Sequence, residues 1–149
     1  MAVSLAGLLA FVMFGVSAAA RDLGGTLSAR GVSPVVLVGI APLLASAGLV
    51  MVAADRSFEV ALPAVVLMGV GFSTPYAVMM DEAQRLFPSQ PVAPITLLQL
   101  AANAVPMVVI PIVGAALAAG DGEAALIALG AFCALGGVAN FRPAVAPTR

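Results

Sequence analysis

The sequence has no lysine, histidine or tryptophan, and it has a single cysteine, Cys133. A lone cysteine cannot form an internal disulfide, and without histidine a zinc site or a Cys–His nucleophile is all but excluded. Charge is scarce as well, because charged residues make up only 9% of the chain and the formal net charge is −1. Since no basic patch is present, we expect no nucleic-acid partner.

Apolar residues dominate the composition of the chain. They make up 62% of the 149 residues, whereas a soluble domain carries roughly a quarter charged residues to cover its surface. Lipid is the solvent that tolerates such a composition. The abundance of Ala, Val, Gly and Pro, with arginine as the only cation, indicates a GC-rich and therefore bacterial coding sequence.

Five apolar stretches are each long enough to cross a hydrocarbon core of about 30 Å as a helix. Charged residues occur only between or beyond them, or at their first position. Runs of this length are too long for buried strands. The sequence therefore predicts an all-α integral membrane protein with five transmembrane helices, at residues 2–20, 35–54, 59–80, 95–119 and 123–141.

The first stretch has a second interpretation. Residues 16–20 read Val-Ser-Ala-Ala-Ala, which resembles a signal-peptide cleavage site after an apolar segment. No Lys or Arg precedes that segment, however. We therefore expect a retained helix rather than a cleaved leader.

The arginines predict the orientation of the helices. If Met1 lies outside and all five helices span, only Arg56 falls outside. The other arginines then lie on the inner side, namely Arg21, Arg30, Arg85, Arg142 and Arg149. This asymmetry follows the positive-inside rule. It predicts a multi-pass protein of the cytoplasmic (inner) membrane with its N-terminus outside and its C-terminus in the cytoplasm.

Polar side chains concentrate in the third and fourth stretches. Ser73, Thr74 and Tyr76 surround Pro75, and Gln99 and Asn103 are four residues apart, which places them on one helical face. These five polar residues are our candidates for a solute pathway. Hydrogen bonds that merely hold the helices together remain the alternative. Likewise, Pro75 predicts either a broken helix at a binding site or an ordinary kink.

The remaining helices and links complete the prediction. The second and fifth stretches are almost free of polar residues, so we expect them to be peripheral and to face lipid. Glycines such as Gly7, Gly15, Gly130, Gly136 and Gly137 are expected to allow close helix packing.

Asp81 and Arg85 are spaced for an i,i+4 pair, which predicts a short helical extension after the third stretch. Together with Arg30 they are candidates for a cytoplasmic gating contact; a solvated loop that only caps the helices is the alternative. No acidic residue lies in the middle of a span. We therefore expect no proton relay, metal site, cofactor or catalytic group.

These features together resemble the major facilitator superfamily (MFS), whose members have twelve helices in two six-helix halves. In each half the link after the second helix carries a pattern near G-x-L-(A)-D-R-x-G-R-R. Gly25, Leu27 and Arg30 match it, whereas Ala29 replaces the acidic residue and the final basic pair is absent. Gly31 stands one place early for the second glycine.

The resemblance implies that the five helices correspond to helices eight to twelve, in the C-terminal half of an MFS permease. Residues 1–149 would then be a partial transmembrane domain, a fragment without the N-terminal half and helix seven. Family members move a small solute by alternating access around a site between the halves. The fragment alone is therefore expected to be inactive.

Two other functions are alternatives to transport. A small, non-transporting membrane subunit that packs against a partner protein fits the same composition. An intramembrane enzyme needs a convergent catalytic cluster at membrane depth, and the sequence offers none, so we expect no enzyme.

The predicted orientation can be tested with single cysteines at Ser57→Cys and Ser89→Cys in a Cys133→Ser background. An impermeant thiol reagent added to whole cells is expected to label position 57 and to spare position 89. Labelling of position 89 alone would reverse the predicted topology.

Overall fold

The computed structural model describes residues 3–90 and 92–141, and these residues form five α-helices joined by short links. The helices are α1 (Val3–Ala29), α2 (Pro34–Ala54), α3 (Phe58–Leu86), α4 (Val92–Ala119) and α5 (Gly122–Asn140). Each is long and apolar enough to cross a membrane. The predicted all-helical class and five long apolar helices are thus confirmed. Met1, Arg142 and Arg149, which entered the predicted topology, lie outside the described residues.

Helix α1 is longer than predicted. It continues to Ala29, so the expected link from residue 21 onward is wrong over its first part. Packing against α3 stabilises this extension, because a Cβ atom at Gly24 would lie only 2.6 Å from the backbone oxygen of Thr74. The Thr26 hydroxyl also donates a hydrogen bond of 2.9 Å to the Asp22 carbonyl. Arg21 and Asp22 therefore belong to a helix rather than to a loop.

A left-handed glycine ends α1. Gly31 has φ = 86°, which is accessible to glycine without a steric penalty. Its N–H bonds to the Ser28 carbonyl at 3.0 Å, and the Val32 N–H bonds to the Leu27 carbonyl at 3.1 Å. This is the hydrogen-bond pattern of a Schellman motif. Gly31, which stands one place early in the pattern of the major facilitator superfamily, thus terminates the helix.

The other helix ends lie close to their predicted positions. Helix α3 extends to Leu86, and Arg85 Nη2 lies 3.0 Å from Asp81 Oδ2, which confirms the predicted extension. Helix α3 also continues through Pro75, so the structure contains no helix break there. Helix α4 begins at Val92, and Pro94 occupies its first turn, where proline removes no intrahelical hydrogen bond.

Helix α3 is the centre of the packing. It packs against α1 in a parallel direction and against α2 in an antiparallel direction, and α2 packs in turn against α5. Helix α2 thus buries residues against both neighbours, and it leaves Val36, Ile40 and Val50 exposed, so only part of it has the expected lipid-facing character. Helix α4 touches α5 and α3 only lightly, and none of its 28 residues is buried.

Glycines allow the backbones of α2 and α3 to approach each other closely. A Cβ atom at Gly71 would lie 2.5 Å from both the Ala41 oxygen and the Ala45 nitrogen, and one at Gly48 would lie 2.6 Å from the Ala64 oxygen. Dispersion contacts between closely spaced backbones stabilise such pairs.

The expected packing role is confirmed for two of the glycines named from the sequence. Gly130 and Gly137 face α2. The expected packing role is wrong for Gly7, Gly15 and Gly136, because a Cβ atom placed at any of these positions would have no neighbouring atom within 4 Å. The sequence alone does not distinguish a glycine at a contact from a glycine on an open face.

A valine at Gly71 should separate α2 from α3 and lower the free energy of unfolding by about 1–3 kcal/mol, as overpacking does. Gly15→Val is the matched control, because that position is open, and its effect should stay within about 0.5 kcal/mol. Unfolding of the detergent-solubilised chain, followed by circular dichroism, measures both. Equal effects of the two substitutions would contradict the packing described for α3.

Candidate functional site

A hydrogen bond joins α3 to α4. The Tyr76 hydroxyl donates to Oε1 of Gln99, across two helices that otherwise touch little. Tyr76 is half-buried, whereas Gln99 is exposed. Two candidates named from the sequence are thus brought together, from different helices and on an accessible side of the structure.

Arg21 extends this pair to a third helix. Its guanidinium carbon lies 4.9 Å from the centre of the Tyr76 ring, within the range of a cation–π interaction. The sequence prediction missed Arg21 because it placed the residue in a loop. The sequence did contain one indication of a longer helix, because no proline occurs between Arg21 and Pro34 that would end α1 before Gly31.

Asn103 completes the group, one helical turn after Gln99. Its Nδ2 donates a hydrogen bond of 2.8 Å to the backbone oxygen of Gln99. We refer to Arg21, Tyr76, Gln99 and Asn103 as the polar cluster. Thr96 shares this face of α4, and its hydroxyl donates to the Val92 carbonyl at 2.8 Å.

Tyr76 and Gln99 each line one shallow cleft. One has a volume of about 340 Å³ and lies along α4, with Thr96, Gln99 and Asn103 among its lining residues. The other has a volume of about 250 Å³ and lies between α3 and α4, lined by Tyr76 and by apolar residues that include Met79. Three members of the cluster, Tyr76, Gln99 and Asn103, therefore border a cleft, whereas Arg21 lines neither.

The cluster lies well inside the helices rather than at their ends. At 1.5 Å per residue, Arg21 is about 12 Å from the end of α1 and Tyr76 about 15 Å from the end of α3. Gln99 is about 10 Å from the start of α4. These three ends lie at the same side of the structure because α1 and α3 are parallel and α4 follows α3. All members thus occur at a similar depth.

Ser73 and Thr74 lie elsewhere, although the sequence suggested them as pathway residues. Their exposed fractions are 5% and 7%, and neither lines a described cleft. The Thr74 hydroxyl donates to the Val70 carbonyl at 2.8 Å, and its backbone approaches Gly24 of α1. In the structure these residues pack helices together.

The three gating candidates do not form one contact. Asp81 and Arg85 pair with each other on the surface of α3. Arg30 is exposed beyond the end of α1, and it forms no ion pair with a described residue. An exposed pair within one helix contributes little to stability.

The chemical groups of the cluster are suited to binding. They comprise one guanidinium, one phenol and two amides, which together provide mostly hydrogen-bond donors. Within residues 3–90 and 92–141, no three His, Cys, Asp or Glu side chains lie together as metal ligands would. The arrangement can hold a polar molecule by hydrogen bonds and charge.

A double-mutant cycle with Tyr76→Phe and Gln99→Leu tests the link between α3 and α4. We expect a coupling free energy of about 0.6 kcal/mol, and at most about 1.7 kcal/mol, as measured for interhelical hydrogen bonds in membranes. Thr96→Val is the control partner, because Thr96 bonds to its own helix. Unfolding in detergent micelles by added dodecyl sulfate provides the free energies. Coupling of Tyr76 to Thr96 as strong as its coupling to Gln99 would rule out the specific bond.

Comparisons with known proteins assign no family. No protein-family model, no curated protein and no solved structure matches this chain. The resemblance to the major facilitator superfamily therefore depends on the sequence features described above. Function has to be argued from the polar cluster itself.

Proposed function

We propose that this chain spans the cytoplasmic membrane of a bacterium and forms part of a carrier for a small solute, of the major facilitator type. The single observation that supports this proposal best is the polar cluster. It brings together side chains of α1, α3 and α4, and its α3 and α4 members line open clefts.

The distribution of polar groups on α4 supports a path for solute rather than contact with lipid. Thr96, Gln99 and Asn103 lie within an arc of about 60° on this helix. Leu97 lies about 160° away from Gln99, on the opposite face. Polar groups left in hydrocarbon are unfavourable, so a helix with one polar stripe faces water or protein along that stripe.

The exposure of α4 supports the proposal that the chain works as a fragment of a larger carrier. A carrier site lies between two halves that rock around it. Helix α4 buries none of its residues here, although its stripe carries part of the cluster. We propose that the N-terminal half and the remaining helix of the carrier cover this side, and that the chain alone does not transport.

A non-transporting membrane subunit is the second candidate. The observation that favours it is that the cluster already satisfies part of its own hydrogen bonding. Tyr76 bonds to Gln99, and Asn103 bonds to the backbone of its own helix. In such a subunit the cluster would only fasten α4 to α3. The subunit would co-purify with a partner protein and would show no solute uptake.

Uptake into reconstituted vesicles separates the two functions. The complete carrier, in which this chain is joined to its other helices, is expected to show saturable uptake of one solute class among sugars, organic anions, amino acids and drugs. Gln99→Leu should reduce that uptake at least about tenfold, as loss of one to two hydrogen bonds to a solute does. Leu97→Ala, on the opposite face of α4, is the matched control and should retain uptake.

The same assay tests the fragment proposal. The 149-residue chain reconstituted alone is expected to give no saturable uptake. Saturable uptake by this chain, lost on Gln99→Leu, would instead indicate a self-sufficient transporter. Absence of uptake by the complete protein, together with a stably bound partner, would favour the subunit.

A further inference from the structure

We infer that the polar cluster is a binding site for an anionic solute, one that carries a carboxylate or a phosphate. The inference deepens the proposed function and rests on it, because the bound anion would be the transported solute. The observation behind it is that Arg21 lies over the ring of Tyr76, whose hydroxyl bonds to Gln99, and that Asn103 follows one turn later on α4.

Arg21 has a positive charge that no described carboxylate neutralises. Among residues 3–90 and 92–141, the ion pair present joins Arg85 to Asp81. Asp22 follows Arg21 in the chain, but it lies about 100° around the helix and forms no pair with Arg21. Arg21 is exposed, although it lies about two turns before the end of α1. Its guanidinium is therefore accessible to a ligand, and an anionic ligand would supply the missing counter-charge.

The contact with Tyr76 leaves the guanidinium able to bind an anion. Its central carbon lies over the Tyr76 ring, 4.9 Å from the ring centre. The five N–H groups of a guanidinium cannot all point at one ring, and a pair of those that remain matches the two oxygens of a carboxylate or phosphate. The ring also restricts the arginine side chain, which reduces the entropy lost on binding.

The neighbouring amides add donors rather than negative charge. Because the Tyr76 hydroxyl donates to Oε1 of Gln99, the amide NH₂ of Gln99 remains available as a donor. Nδ2 of Asn103 donates one N–H to the backbone carbonyl of Gln99 and retains a second N–H as a free donor. A site with a guanidinium and two amide donors favours anions and disfavours cations.

A purely structural role for Arg21 makes a different prediction. If the arginine only stacks on Tyr76 to hold α1 against α3, its removal changes stability and leaves ligand binding unaffected. The test therefore needs a readout of binding at Tyr76 itself.

The composition of the chain provides that readout. Tyr76 is the single tyrosine and tryptophan is absent, so tyrosine emission from the purified 149-residue chain reports this position alone. The chain in lipid nanodiscs is titrated separately with sodium succinate, sodium phosphate, glucose and choline chloride, at constant ionic strength. Succinate and phosphate distinguish the two sources of an oxyanion.

We expect a saturable change of tyrosine emission with succinate, phosphate or both, and none with glucose or choline. Arg21→Gln should raise the half-saturating concentration at least about tenfold, the effect of losing hydrogen bonds to a charged group. Arg21→Lys should restore binding only in part, since it keeps the charge without the planar pair of donors. Arg30→Gln, which removes an exposed arginine near the same end, should leave the titration unchanged.

Three results would overturn the anion site: no saturable response to either oxyanion, an equal response to glucose or choline, or an unchanged titration in Arg21→Gln. If Arg21→Gln does not fold by circular dichroism, Gln99→Leu takes its place, and a titration unchanged by that substitution is equally negative. Saturable anion binding without uptake by the complete carrier would contradict the proposed transport and support the site. Uptake restricted to neutral or cationic solutes would contradict the site and support transport.

Discussion

The close backbone contacts that α3 makes with α1 and α2 are the constraint on which the rest of the structure depends. Gly24 and Gly71 allow these contacts, because any side chain at either position would meet the neighbouring backbone. With α3 fixed on both sides, Tyr76 lies under Arg21 of α1 and within reach of Gln99 of α4. The polar cluster is thus a consequence of how closely small residues let these helices pack.

Much of the fold could be predicted from the sequence, because long apolar runs admit few structures. The five helices follow from the length of the apolar runs, and the Asp81–Arg85 pair follows from its i,i+4 spacing. The end of α1 does not, since the charged residues Arg21 and Asp22 predict a helix boundary that the structure lacks. Packing on α3 supports the helix beyond residues 21 and 22, and this packing depends on residues far apart in the sequence; the left-handed Gly31 then ends the helix.

The candidate site was predicted in part for the same reason. Gln99 and Asn103 share a face by helical spacing alone, and Tyr76 proved to be their neighbour. Ser73 and Thr74 look equally polar in the sequence, yet the structure buries them in helix contacts. Arg21 was not predicted as a site residue because its position depends on the extension of α1 beyond residue 20, which the apolar stretch alone does not indicate. Local patterns identify polar faces, but only the packing shows which faces meet.

The proposed carrier and its anion site both require water to reach the polar stripe of α4. The most direct measurement is the reactivity of single cysteines along this helix towards a small aqueous thiol reagent, in native membranes and in a Cys133→Ser background. The account predicts fast modification at Thr96→Cys, Gln99→Cys and Asn103→Cys, and slow modification at Leu97→Cys and Val108→Cys on the opposite face. Uniform reactivity, or none at any of these positions, would contradict a water-lined path on this side of the protein.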